Sequence, residues 1–129
     1  MIYGIGVDTV DLARFSQLLQ KTAALKTRLF TPNEIDLPVA SIAARFAAKE
    51  ALVKAFGGST IGDAQVTHLS WQDIEVPRVE GSRPRFSDTP GLMRMMRVAG
   101  VDRAHLSLTH DGGMATAFVV LETGVPTGE

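Results

Sequence analysis

The sequence predicts an α+β fold: a single domain in which a largely antiparallel sheet packs against a long central helix. Three features point there. Residues 39–56 hold the longest helical pattern and are apolar nearly all round, which marks an element packed on several sides. Residues 105–110 alternate, Asp111-Gly112-Gly113 is a turn signal, and Met114 to Leu121 is an almost wholly apolar return strand, so the chain closes with a hairpin. Strands and helices do not alternate regularly, which disfavours a doubly wound parallel sheet.

Taken in order, residues 2–10 are rich in β-branched side chains and read as a strand. Asp11 is placed to cap a helix running to about Lys21, with Leu12, Phe15, Leu18 and Leu19 at helical spacing. Thr31, Pro32 and Glu34 form a helix-start signal, with Thr31 as N-cap and Glu34 completing a capping box. The helix over 39–56 follows Pro38 and stops at Gly57-Gly58, and residues 59–68 read as a loop. Residues 69–79 read as a strand that Pro77 ends early, with Arg85-Phe86 opening a short partner strand. Pro90 starts a helix through Leu92 and Met96 to Gly100. The domain is expected to span 1–122, with 123–129 a frayed tail.

Composition excludes several classes of function. The chain has 129 residues, enough for one core, and its net charge of -1 leaves no basic excess for a nucleic acid. Cysteine is absent, which removes disulfides and thiolate chemistry. The start, Met-Ile-Tyr-Gly-Ile-Gly-Val-Asp, lacks a basic n-region, and no apolar run approaches a membrane span. These readings predict a cytoplasmic protein that binds neither nucleic acid nor membrane.

Two segments concentrate candidate chemistry. In the first strand Gly4, Gly6 and Asp8 share one face, leaving room for a second backbone or a ligand; Asp8 is then either a turn cap or a ligating group. In the central helix Ile42, Phe46 and Val53 form a bulky apolar sector opposite a run of alanines. Two narrow charged strips lie between them. Arg45 and Lys49 share one at i,i+4, a repulsive pairing unless an anion sits between them; Glu50 and Lys54 share the other with attractive signs. A polyphosphate would explain the first strip and a cation the carboxylate, while the plainer reading has Arg45 and Lys49 snorkelling to water beside a surface ion pair. His110 closes the Leu106/Leu108 face, where a lone histidine is commonly an edge residue, and strand geometry does not support a Ser–His nucleophile pair with Ser107.

Gly4-Ile5-Gly6-Val7-Asp8, the helix Arg45-Phe46-Ala47-Ala48-Lys49-Glu50-Ala51-Leu52-Val53-Lys54, and His105-Leu106-Ser107-Leu108-Thr109-His110 occur in that order. Together they resemble the small bacterial class of 4'-phosphopantetheinyl transferases, the holo-(acyl-carrier-protein) synthases, and the resemblance extends from Met1 to about Glu122. It implies a transferase-like fold and transfer of the phosphopantetheine arm of coenzyme A to a serine of an apo acyl carrier protein. Adenosine 3',5'-bisphosphate would be released and the carrier activated for fatty acid synthesis. The resemblance implies Asp8, Glu50 and Lys54 as catalytic residues, with Asp8 and Glu50 holding Mg2+, which suits one or two carboxylates supplemented by water and phosphate. It implies Arg45, Lys49 and His110 around the coenzyme A phosphates, and it leaves the proton acceptor open between Asp36 and a metal-bound water. Arg14 matches a docking arginine for the acidic carrier, continued by Lys21, Lys26 and Arg28, although a plain solvated face accounts for that run equally well. Members of this size are homotrimers with active sites between subunits. The chain is short between Asp36 and Ile42, where longer members carry extra residues.

Two rivals remain. An isoprenoid-pathway cyclase also starts with a glycine-rich strand and an aspartate, but needs a histidine where Val10 stands. A non-catalytic coenzyme A-binding or carrier-binding module would need the cationic strip without the carboxylate pair, and both Asp8 and Glu50 are present.

Overall fold

The computed structural model describes residues 1–61 and 66–124. Among these residues the elements follow in the order β1 (Ile2–Asp11), α1 (Leu12–Lys21), α2 (Leu25–Leu29), α3 (Val39–Ala55), a 3-10 turn (Trp71–Asp73), α4 (Pro90–Ala99), β2 (Arg103–Asp111) and β3 (Met114–Glu122). The strands form one antiparallel sheet in the order β1-β3-β2. The expected α+β class and the closing hairpin are therefore present.

Small residues let α3 lie against the sheet. A Cβ built on Gly4 would stand 1.9 Å from the Ala55 carbonyl oxygen, and one on Gly6 1.8 Å from that of Ala51. The room left by the two glycines is thus filled by the backbone of α3. Ala47, Ala48 and Ala51 of the helix and Ala115 and Ala117 of β3 are fully buried. Ile42, Leu52 and Val53, also buried, fill the core on the other sides of α3.

The local signals explain the element ends. The Asp11 carboxylate caps α1 by accepting from the Arg14 backbone N–H at 3.0 Å. Thr89 caps α4, Pro90 occupies its first turn, and Gly100 closes it at φ 74°. The hairpin turns on Gly112 and Gly113, both at positive φ, and the Leu12 N–H donates to the Gly113 carbonyl at 2.9 Å, tying α1 to that turn. Met1 and Thr123 exchange backbone hydrogen bonds of 2.7 and 2.8 Å. Of the tail expected at 123–129, residues 125–129 lie outside the described residues, as do 62–65 of the expected loop.

Three expectations need correction. Residues 69–79 are not a strand, and Arg85-Phe86 is not its ladder partner; a single backbone hydrogen bond, Ser87 N–H to the Glu75 carbonyl at 2.8 Å, follows that pair. Carboxylates and an ammonium take the backbone groups a ladder would need. The Glu34 Oε2 accepts from the Val76 N–H at 2.9 Å, the Asp73 Oδ2 accepts from the Ser70 N–H at 2.9 Å, and the Lys49 ammonium donates to the carbonyls of Trp71 and Ile74. The capping box at Thr31 is half formed: the Thr31 N–H donates to Glu34 Oε1 at 3.0 Å, but the Thr31 hydroxyl donates to Glu75 instead, and residues 32–36 form turns rather than a helix. The short α2 was not signalled by periodicity.

Gly6→Ala is expected to destabilise by at least about 1–3 kcal/mol, the usual cost of overpacking, because its new methyl meets backbone that no rotamer change can move. Urea denaturation measures this, and a midpoint equal to wild type would contradict the close contact.

Candidate functional site

Asp8, Glu50 and Lys54 meet in an open cleft of about 510 Å³ that also takes Arg14, Leu18 and Phe46 into its walls. Their placement follows from the glycine contact. Asp8 lies two residues past Gly6 on the same strand face, and Glu50 and Lys54 each precede an alanine whose carbonyl touches β1. The Lys54 ammonium donates to Asp8 Oδ1 at 2.9 Å and to the Val7 carbonyl at 3.3 Å. With side chains 43% and 18% exposed, Lys54 and Asp8 form a solvated pair that contributes little stability.

Burial, reinforced by the nearby Asp8 carboxylate and opposed by Lys54, holds the Glu50 carboxyl above the usual carboxylate range. Two carboxylates facing one cleft form a costly arrangement that a cation would relieve. Among the described residues no cluster of three or more metal-ligating side chains occurs. That donor set fits magnesium, which needs only one or two carboxylates.

The other expected site residues divide. Arg45 and His110 line a second cleft of about 380 Å³ together with Ser41, Ala44 and Leu108. Arg45 is anchored through Nε to the Val76 carbonyl at 2.7 Å and through a terminal nitrogen to the Ser41 carbonyl at 3.2 Å. Lys49 reaches neither cleft. Its side chain is 0% exposed, and its ammonium donates to Glu34 Oε1 at 2.9 Å and to the Trp71 and Ile74 carbonyls. The expected phosphate contact of Lys49 is therefore corrected: an internal carboxylate, not an external anion, relieves its proximity to Arg45. Burial pulls the Lys49 ammonium below its ordinary range, with Glu34 opposing. Glu34, read as a capping residue, escaped as the partner. The available signal was a lysine on an almost wholly apolar helix, since a buried charge requires a counter-charge.

Arg14 is exposed at the cleft; Lys21 at the end of the same helix and Arg28 on α2 are exposed outside the cleft lining, and Lys26 is half-buried. Asp36 is exposed in the turn after Glu34 and does not line the cleft.

Residues 4–117 match the family described as the 4'-phosphopantetheinyl transferase superfamily. The chain belongs to that family. A holo-[acyl-carrier-protein] synthase of Clavibacter michiganensis subsp. michiganensis is 50% identical over 126 residues, spanning 98% of this chain and 100% of that protein. The crystal structure of holo-[acyl-carrier-protein] synthase from Neisseria meningitidis superposes with a TM-score of 0.84 at 35% identity, covering 95% of this chain and 100% of the other. That of the Helicobacter pylori synthase in complex with coenzyme A superposes with a TM-score of 0.77 at 28% identity, covering 92% and 99%.

Glu50→Gln is expected to raise the melting temperature in metal-free buffer above neutrality. With its pKa raised on folding, Glu50 favours the native state as pH falls through the folded value and disfavours it when ionised. The difference between variant and wild type should shrink below the ordinary carboxylate range, where both side chains are neutral. Thermal denaturation across pH measures it, and a lower melting temperature for the variant above neutrality would contradict the strained carboxylate.

Proposed function

We propose that the chain transfers the 4'-phosphopantetheine arm of coenzyme A to a serine hydroxyl of an apo acyl carrier protein in the cytoplasm. Adenosine 3',5'-bisphosphate leaves, and the carrier becomes competent for fatty acid synthesis. The observation that carries this reading is the convergence of Asp8, Glu50 and Lys54 in one cleft of a chain half identical to a holo-[acyl-carrier-protein] synthase.

Asp8 and Glu50 would hold magnesium, which supplies charge neutralisation for the pyrophosphate under attack. Lys54, held at the same cleft by Asp8, is placed to exchange that partner for the phosphate that transfers. The serine oxygen attacks the pantetheine-side phosphorus, the bond to the bridging pyrophosphate oxygen breaks, and the serine proton passes to an acceptor. Because Asp36 lies outside the cleft lining, its claim to that role is weakened. Positioning and charge stabilisation account for most of the catalysis, as in other phosphoryl transfers.

Arg45 and His110, in the second cleft, are assigned to the outer phosphates of coenzyme A. We assign the complete site to the junction of two copies in a homotrimer. The division of the expected residues between two clefts of one chain supports this arrangement. So does the outer sheet face, where Ile5, Val7 and Phe118 are 53%, 50% and 45% exposed, since a soluble chain buries such a patch against a partner. Arg14 at the mouth of the first cleft is assigned to docking of the acidic carrier, supported by the neighbouring Lys21 and Arg28.

Incubation of apo carrier with coenzyme A and magnesium should add one phosphopantetheine arm by intact mass and release an equal amount of adenosine 3',5'-bisphosphate. Asp8→Ala and Glu50→Ala should each abolish transfer, as should chelation of the metal. Full activity of either variant would remove both carboxylates from the mechanism. Arg14→Glu should raise the KM for the carrier without changing coenzyme A affinity, and added salt should imitate it. An unchanged carrier KM would return Arg14 to an ordinary solvated face.

A further inference from the structure

The cleft that holds Asp8 and Glu50 has a wall whose position is set from behind. Phe46 faces the cleft from α3, and Phe15 faces it from α1; their rings stack with centroids 5.1 Å apart at 26°. On its other side Phe46 stacks on Trp71, with centroids 5.6 Å apart at 25°. Trp71 lies outside the cleft lining, on the 3-10 turn between α3 and α4. A turn of three residues has little intrinsic rigidity. Lys49 fastens it to α3: its fully buried ammonium donates to the Trp71 carbonyl at 3.1 Å and to the Ile74 carbonyl, while Gln72 ties the turn to the carbonyls of Thr27, Arg28 and Phe30. Glu34 neutralises that ammonium and at the same time receives the N–H groups of Thr31 and Val76 at 3.0 and 2.9 Å. The buried pair therefore fastens the Trp71 turn to α3 one residue from Glu50.

We propose that Trp71, held by Lys49 and Glu34, is a positioning residue for the wall of the cleft that receives the carrier protein. This rests on the transferase reading above and deepens it by naming what shapes the carrier side of the site. Chemistry assigns the side. The outer phosphates of coenzyme A need cations, and the cleft of Arg45 and His110 supplies them, so only the transferring phosphate reaches Asp8, Glu50 and Lys54. The wall built from Phe15, Leu18 and Phe46 is apolar with Arg14 at its edge, which suits a protein surface carrying apolar and acidic groups. Trp71 touches no reacting atom; it fixes Phe46 by stacking, and Lys49 acts one step further back.

The test separates carrier recognition from coenzyme A recognition. Trp71→Leu removes the stack at a half-buried position. It should raise the KM for apo carrier by about threefold to tenfold, the scale of one lost aromatic pair, with the KM for coenzyme A unchanged. Trp71→Phe should restore most of the loss. Lys49→Met combined with Glu34→Gln, which removes both buried charges together, should reproduce the selective carrier defect. Trp71 is also the single tryptophan of the chain, so a tryptophan-free apo carrier should shift its fluorescence while coenzyme A alone should not. That shift is independent of turnover: its presence in a wild-type protein that transfers nothing would reject the transferase reading and keep the brace. A rise in the coenzyme A KM, or a Trp71→Leu variant with a lowered melting temperature and unaltered kinetics, would overturn the proposal.

Discussion

The backbone contact between β1 and α3 is the constraint on which the rest of the molecule depends. At Gly4 and Gly6 the strand has no Cβ, and the carbonyls of Ala55 and Ala51 occupy the space a methyl would need. This contact is 3.6-residue periodic on one element and two-residue periodic on the other, so it fixes both the axial position and the rotation of the helix. Asp8 continues the glycine face of the strand, while Glu50 and Lys54 stand beside the contacting alanines. Their meeting follows from the backbone packing, and the 2.9 Å bond from Lys54 to Asp8 is its outcome rather than its cause.

A different strategy holds the segments between α1 and α4. Where an extra pair of strands would have closed the backbone hydrogen bonds, two acidic side chains do so and a third gathers neighbouring side chains. Glu34 accepts from Thr31 and Val76, Asp73 from Ser70, and Glu75 from the side chains of Thr31, Asn33 and Ser87. Burial works against the ionised form of Glu75, but those hydrogen bonds outweigh it and hold its carboxyl below the usual range. Lys49 completes the network from the helix. Replacing one member of such a buried set leaves an unpaired charge, whereas replacing the pair leaves none.

The cleft and the buried network use the same residue types to opposite ends. Glu34 and Lys49 have all their charge satisfied inside the protein. Asp8 and Glu50 share a cleft open to solvent; Asp8 is paired with Lys54, and burial first, then the Asp8 carboxylate, holds the Glu50 carboxyl above the usual range. An ion pair buried on one side of α3 and the cleft-facing Glu50 and Lys54 on the other thus divide a helix that looks uniformly charged along its strips into an inward half and a cleft-facing half.

Much of this was legible in the sequence. Ladder and helix positions followed from local chemistry: β-branched residues in β1, the Asp11 and Thr89 caps, the Gly112-Gly113 turn, and the all-round apolar pattern of α3. The motif spanning Gly4 to Asp8 and Arg45 to Lys54 was enough to indicate the family, and Asp8, Glu50 and Lys54 do share one cleft. Other features depended on partners far along the chain. Residues 69–79 have strand-like composition, but Glu34 and Lys49, more than 20 residues away, claim their backbone groups. Periodicity placed Lys49 beside Arg45 on a strip without revealing which way that strip faced, because an i,i+4 spacing gives only relative azimuth. What lies opposite each azimuth is decided by packing, so only the tertiary structure could turn Lys49 inward to Glu34 and leave Glu50 in the cleft.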